Sequence, residues 1–139
     1  MIVVDTGGLL ALLNGQDRHH RVARMSFEQD GARWIVPWAV LPELDYLAAK
    51  CMSEDVARAF LEDVRDGAFR VDAHVEKDLA RAAELGKKYG ALSLGLVDAV
   101  VMAQAERHRA EAILTTDGRH FRAVKLAIAP SPALPLLDG

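Results

Sequence analysis

Asp5, Glu43, Asp98 and Asp117 are four carboxylates set among apolar residues. Asp5 ends the run Ile2-Val3-Val4, and Asp117 follows Ala112-Ile113-Leu114 and two threonines. Glu43 has Ala39, Val40, Tyr46 and Leu47 as helical neighbours, and Asp98 has Leu94, Gly95, Val101 and Met102. Burying an unpaired charge is costly, so acids in such settings call for a partner. No Lys or Arg stands at helical spacing from Glu43 or Asp98. Brought into one crevice, the four would repel one another, and without a cation at least one should keep its proton near neutral pH. With Mg²⁺ or Mn²⁺ they would form an oxygen-rich site of the kind that serves phosphoryl transfer, where a water does the attacking. The chain offers no good side-chain nucleophile: Cys51 has no His beside it in sequence, and no Gly-x-Ser-x-Gly elbow exists.

Each acid also has an ordinary reading. Asp5 could cap a helix over Leu9–Leu13, and Asp117 could cap the turn Asp-Gly-Arg. Glu43 has a rival in Asp45, whose helical neighbours Leu41, Pro42, Ala48 and Ala49 are apolar too. The two lie two residues apart and cannot share a helix face. Asp98 is the hardest to explain as structure, because its helix has polar positions to spare.

The elements that must position these residues follow from periodicity and breakers. Residues 1–5 read as a buried strand ended by Asp-Thr-Gly-Gly. A short helix over Leu9–Leu13 stops at Asn14-Gly15, and Asp17 looks like the N-cap of a helix to about Gln29. Trp34-Ile35-Val36 is a second strand. Pro37 to Lys50 is helical, and a helix capped by Ser53 runs on to Gly67. Ala68 to Val71 is a third strand. Helices over Val75–Tyr89 and from Ser93 to about Arg109 follow, then strands over Ala112–Leu114 and Val124–Ile128. The tail from Pro130 is Pro-rich and irregular. Short buried strands alternating with helices imply an α/β fold, a five-stranded parallel sheet flanked by helices on both faces. Sites in such sheets form beyond the carboxyl ends of the strands, which is where Asp5 and Asp117 fall.

The 139 residues suit a single domain over 1–139, with 51% hydrophobic and 27% charged residues. A net charge of -3 gives no general attraction for nucleic acid, though a local basic patch or a metal can carry such a contact. The single cysteine excludes an intrachain disulfide and a Cys-rich zinc motif, and it suits a cytoplasmic protein. The N-terminal run lacks a basic flank and contains Asp5, so it reads as a strand and not a signal peptide. No apolar run is long enough to span a membrane.

Here the residues resemble a family. Ile2-Val3-Val4-Asp5-Thr6, Leu41-Pro42-Glu43-Leu44, Leu96-Val97-Asp98-Ala99 and Ile113-Leu114-Thr115-Thr116-Asp117, with Phe121 following, are similar to the motifs of PIN-domain ribonucleases. Within these they are similar to the VapC toxins of bacterial type II toxin–antitoxin pairs. Asn14 and Asp17 to His20 match that family's first loop and second helix. The resemblance implies a PIN-like three-layer fold and Mg²⁺- or Mn²⁺-dependent cleavage of RNA. It implies that Asp5, Asp98 and Asp117 bind the metal, that Glu43 orients or deprotonates the attacking water, and that Thr6 and Thr115 support the site. It implies a homodimer, through the helices of residues 37–66, and inhibition by a VapB-type antitoxin. Gly7-Gly8 departs from the family, whose members often carry a larger or polar residue there, so one side-chain contact is missing.

Other residues are weaker candidates. Arg119, His120 and Arg122 follow Asp117 and are placed to touch RNA. Arg18-His19-His20-Arg21 could meet phosphates, but a solvated helix start with one inward His explains it better. Lys87 and Lys88 suit a helix C-terminus. Trp34 and Trp38, with Val40, Leu44, Leu47 and Leu61, are expected at core or interface positions. A haloacid-dehalogenase-type phosphatase would need an acid two residues after Asp5, where Gly7 stands, and an actin-like ATPase would need two lobes. A PIN-like module that binds RNA or protein without cutting is the non-enzymatic alternative.

Overall fold

Parallel pairing dominates the molecule, because every strand is separated from the next by helices. The computed structural model describes residues 1–127. The elements are β1 (Ile2–Val4), α1 (Thr6–Leu13), α2 (His20–Asp30), β2 (Trp34–Pro37), α3 (Val40–Cys51), α4 (Glu54–Arg65), β3 (Val71–Asp72), α5 (Val75–Lys88), α6 (Leu96–Arg107), β4 (Ala112–Leu114) and α7 (Arg119–Ala123). The sheet order is β3-β2-β1-β4, all parallel. Ile2 pairs with Trp34 on one side and Ala112 on the other. Parallel neighbours need crossovers, and two helices fill each one.

Val3, Val4, Ile35 and Val36 are fully buried, so the central strands are covered on both faces, as their unbroken apolar sequence requires. Trp34 is a core residue, and Phe27 meets its ring edge-on at 5.1 Å between centroids. Phe69 stacks on Phe27 at 5.2 Å and touches Phe60 at 5.0 Å, which ties α2 and α4 to β2. Val40 and Leu44 are core, Leu47 is half-buried, and Leu61 is exposed on α4.

Several expectations need correction. Among the described residues the sheet has four strands, not five. Residues 124–127 form no strand: Val124 and Leu126 pack into the core. The backbone N–H groups of Lys125 and Ala127 donate to Tyr89 Oη at 3.1 Å and Glu106 Oε2 at 2.9 Å, so side chains replace ladder partners. Ile128 and the tail from Pro130 lie outside the described residues. Asp17 accepts from the His19 N–H at 2.7 Å, and the helix begins only at His20, so Asp17 orders the preceding turn and is not the N-cap. Ser93 adopts φ 51° after a 3₁₀ turn over Gly90–Leu92, so α6 starts at Leu96 instead.

Candidate active site

Two adjacent strands deliver the first pair of acids to the same edge of the sheet. β1 and β4 pair in register through Val4 and Leu114, so Asp5 and the segment Thr115-Thr116-Asp117 leave the sheet side by side. Asp5 N–H still donates to Leu114 O at 2.9 Å. Glu43 lies in the first turn of α3 and Asp98 in the first turn of α6, where a helix N-terminus favours negative charge. All four acids line one crevice of about 270 Å³, together with Thr6, Gly7, Leu10, Leu47, Thr115, Thr116 and His120.

The rival readings of these acids separate here. Asp5 occupies the N-cap position of α1, yet its side chain makes no cap hydrogen bond. Instead Thr115 Oγ1 donates to Asp5 Oδ2 at 2.9 Å, a fully buried contact. Burial pushes the Asp5 carboxyl up to about 6; the Thr115 bond opposes this, and the nearby charges of Asp98 and Glu43 add to it. One acid of the group is thus shifted as mutual repulsion and desolvation require. Asp45 does not line this crevice; it borders a groove between α3 and α4 with Ala49, Glu54, Ala57, Arg58 and Leu61. Asp5 is buried, Asp98 half-buried, and Glu43 and Asp117 are exposed, so apolar sequence neighbours foretold burial correctly only in part.

Thr115 also ties Asp117 down. Its hydroxyl accepts from the Asp117 N–H at 3.1 Å and lies 3.2 Å from Asp117 O. The residues that follow turn back onto the acids. Arg119 Nε and Nη2 donate to the two Asp117 carboxylate oxygens at 3.0 and 2.7 Å, and Arg119 N–H donates at 3.2 Å. The Arg119 guanidinium holds the Asp117 carboxyl down at about 2. His120 Nδ1 lies 2.7 Å from Asp98 Oδ2. Arg122 is exposed on the same short helix. Arg119 and His120 therefore rest on two of the acids. At the start of α2, Arg18 Nε meets His19 Nε2 at 3.1 Å and His20 Nδ1 lies 2.9 Å from Ala11 O, which fits the inward-His reading.

The donors in the crevice are carboxylate and hydroxyl oxygens, the set that suits a hard divalent cation. Thr6 Oγ1 is buried there without a hydrogen-bond partner, an orphan that a hydrated ion or substrate could satisfy. Among the described residues, no three acidic, His or Cys side chains are already grouped as metal ligands. Asp98 and Asp117 point to His120 and Arg119 instead, so binding a cation requires those contacts to be exchanged.

A second buried acidic cluster escaped the sequence reading. Asp72 ends β3 and Asp78 lies on α5, and both are buried. Arg107 bridges them, with Nη1 2.7 Å from Asp72 Oδ2 and Nη2 2.9 Å from Asp78 Oδ1. Trp38 Nε1 and Gln104 Nε2 each donate to Asp78 Oδ2 at 2.9 Å. His74 lies 2.8 Å from Asp72 Oδ1, and His108 meets Asp72 Oδ2. Burial pushes the Asp72 carboxyl up, but the bonds from Arg107, His74 and His108 outweigh it and hold it well below the ordinary range. The local signal was weak: Asp72 follows Val71, but Arg70 interrupts the apolar run that Ala68 and Phe69 begin. This network fixes the C-terminal half of α6 against β3 and α5, and α6 carries Asp98 at its other end.

The arrangement, a parallel sheet with acids at the carboxyl ends of the adjacent strands β1 and β4, is that of a PIN domain, and the chain belongs to the PIN-domain family, whose model matches residues 2–126. Within it, the chain is similar to Ribonuclease VapC26 of Mycobacterium tuberculosis, with 30% identity over 124 residues that cover 89% of this chain and 92% of the relative. The fold is shared with the crystal structure of Mycobacterium tuberculosis VapC20, a Sarcin-Ricin loop cleaving toxin. The TM-score is 0.77 at 22% identity, covering 94% of this chain and 100% of that one. A toxin–antitoxin complex from Klebsiella pneumoniae matches with a TM-score of 0.67 and 23% identity, covering 99% of this chain and 98% of that one.

Proposed function

We propose that this chain is a metal-dependent endoribonuclease and the toxin of a toxin–antitoxin pair, acting as one domain over residues 1–139. The observation that carries the reading is the meeting of Asp5, Glu43, Asp98 and Asp117 in one crevice of a PIN domain similar to a named ribonuclease. Asp5, Asp98 and Asp117 would hold Mg²⁺ or Mn²⁺. Such a cation would lower the pKa of a water and offset charge building on the phosphodiester. Thr115 fixes one Asp5 oxygen, leaving the carboxylate in a set orientation. Glu43, exposed at the crevice, accepts the proton of the attacking water. Arg119 and His120, once exchanged off Asp117 and Asp98, meet RNA phosphates together with Arg122.

The partner reading has its own support. A crevice of acids that already attracts Arg119 would equally accept a basic side chain from a VapB-type antitoxin. The exposed Tyr46 and Leu61 flank α3 and α4, which suits a homodimer through residues 37–66. No described helix is long and apolar enough to cross a membrane; we place the protein in the cytoplasm from its cysteine usage. One observation favours the silent binding module: Arg119 and His120 rest on Asp117 and Asp98, where a cation would be held. Replacing Asp98 with Asn decides between them. The nuclease reading expects loss of RNA cleavage with an unchanged fold by circular dichroism, and undiminished cleavage would remove Asp98 from the mechanism.

A further inference from the structure

Asp78 is a buried acid that lies outside the crevice of Asp5, Glu43, Asp98 and Asp117. It stands in the first turn of α5, between two segments that each lead to a crevice acid. One is the turn that opens α3. Trp38 follows β2, its carbonyl accepts from the Leu41 N–H at 3.2 Å, and Glu43 lies in that first turn of the helix. The other is α6, which carries Asp98 in its first turn and the fully buried Gln104 further along. Asp78 Oδ2 accepts from Trp38 Nε1 and from Gln104 Nε2, each at 2.9 Å. The main chain repeats the bridge: Asp72 O accepts from the Trp38 N–H and from Gln104 Nε2, each at 3.0 Å. Both donors of the Gln104 amide are thus used by this link. The Trp38 ring completes it by packing against Ala39, Ala82, Ala99 and Val100, the last two of which directly follow Asp98.

Hydrogen bonds to a carboxylate are stronger than those between neutral groups, so Asp78 is a firm and directional tie. Arg107 Nη2, 2.9 Å from Asp78 Oδ1, offsets its charge and leaves Oδ2 to the two neutral donors. Glu43 and Asp98 arrive on different helices, so their spacing depends on how the start of α3 sits against α6. Groups that bind or serve a cation must be held within about 0.5 Å of their working positions. We propose that Asp78 is a positioning residue of the crevice: through Trp38 and Gln104 it sets where Asp98 and Glu43 stand relative to each other, and so the affinity of the crevice for its cation. This rests on the metal-dependent reading of the four acids given above.

The test is a calorimetric titration of Mn²⁺ into the full chain and into two variants. Trp38→Phe keeps a ring on the alanine cluster and removes the indole donor. Gln104→Met keeps the volume and removes both amide bonds, and no bond is lost at Gln104 Oε1, which is buried without a partner. Each variant leaves Asp78 paired with Arg107 and with one of its two neutral donors, so its charge stays compensated. Each should weaken Mn²⁺ binding by about fivefold, the size of effect that a packed network passes to a remote site. Phe27→Leu, a change on α2 away from the network, is the control: it should lower stability in urea and leave Mn²⁺ affinity unchanged. The metal-free amide spectrum shows whether each variant is folded, and if one is not, the other decides. Affinity unchanged in the folded variants, or lowered equally in Phe27→Leu, overturns the positioning role and leaves Asp78 a stabilising residue of the fold alone. A wild type that binds no Mn²⁺ overturns the metal-dependent reading itself.

Discussion

Asp5→Asn should make the metal-free protein more stable while destroying its activity. The wild-type carboxyl rises from its ordinary 3.8 to about 6 because it is buried in the crevice. A carboxyl with a higher pKa in the folded state holds its proton more tightly when folded. Stability from that proton is complete below about pH 4, falls as pH rises, and is gone above about pH 6. At roughly 1.4 kcal/mol for each pH unit of displacement, ionised Asp5 costs the folded protein about 3 kcal/mol at pH 8. Asparagine carries no charge and keeps an oxygen for the Thr115 hydroxyl. In EDTA at pH 8 the variant should therefore gain up to ~3 kcal/mol, which for a chain of this size raises Tm by roughly 10 °C. Thermal unfolding measured from pH 4 to 8 checks this. The gain should shrink toward zero at pH 4, and Mg²⁺ should raise the Tm of the wild type but not of the variant. Equal Tm values at pH 8, or a difference that does not change with pH, would refute the argument that ionised Asp5 is a strained, cation-seeking group.

The other predictions concern the frame around the site. Arg107→Met leaves Asp72 and Asp78 buried without their shared cation and should cost about 3 kcal/mol in urea unfolding at pH 7. Since Asp72 is held below its ordinary range, its contribution in the wild type persists at neutral pH and is lost only as the solution turns acidic. Gly8→Ala would place a Cβ 2.8 Å from Leu114 O, a backbone atom that cannot rotate away. That should destabilise by about 1–3 kcal/mol and push α1 off β4, read by thermal unfolding. Leu61→Glu, on the exposed face of α4, should convert the proposed dimer to a monomer in light scattering at micromolar concentration, whereas a wild type that is itself monomeric would overturn that proposal.

The four acids were legible because the local patterns that place them are strong. A β-branched run followed by Asp-Thr-Gly ends a strand at the carboxyl edge, and a parallel sheet brings such ends together. The choice between Glu43 and Asp45 was not legible, since both have apolar helical neighbours; packing against α4 turns Asp45 away and leaves Glu43 at the crevice. The strand expected over Val124–Ile128 fails over its described residues, 124–127, because an apolar segment near the surface can also anchor singly, as Val124 and Leu126 do. Helix α7 was missed for want of any periodicity in five residues, and with it the contacts of Arg119 and His120 to the acids. The Asp72–Arg107–Asp78 network joins residues 35 and 29 positions apart, and nothing local links them.

The most direct test of the central claim is cleavage of total cellular RNA by the purified protein, with Mg²⁺ or Mn²⁺, with EDTA, and with the Asp98→Asn variant. The account predicts defined fragments that require both the metal and Asp98, with ends that identify the target RNA. Intact RNA under every condition, with metal binding shown by calorimetry, would contradict it and leave the chain a PIN domain that binds without cutting.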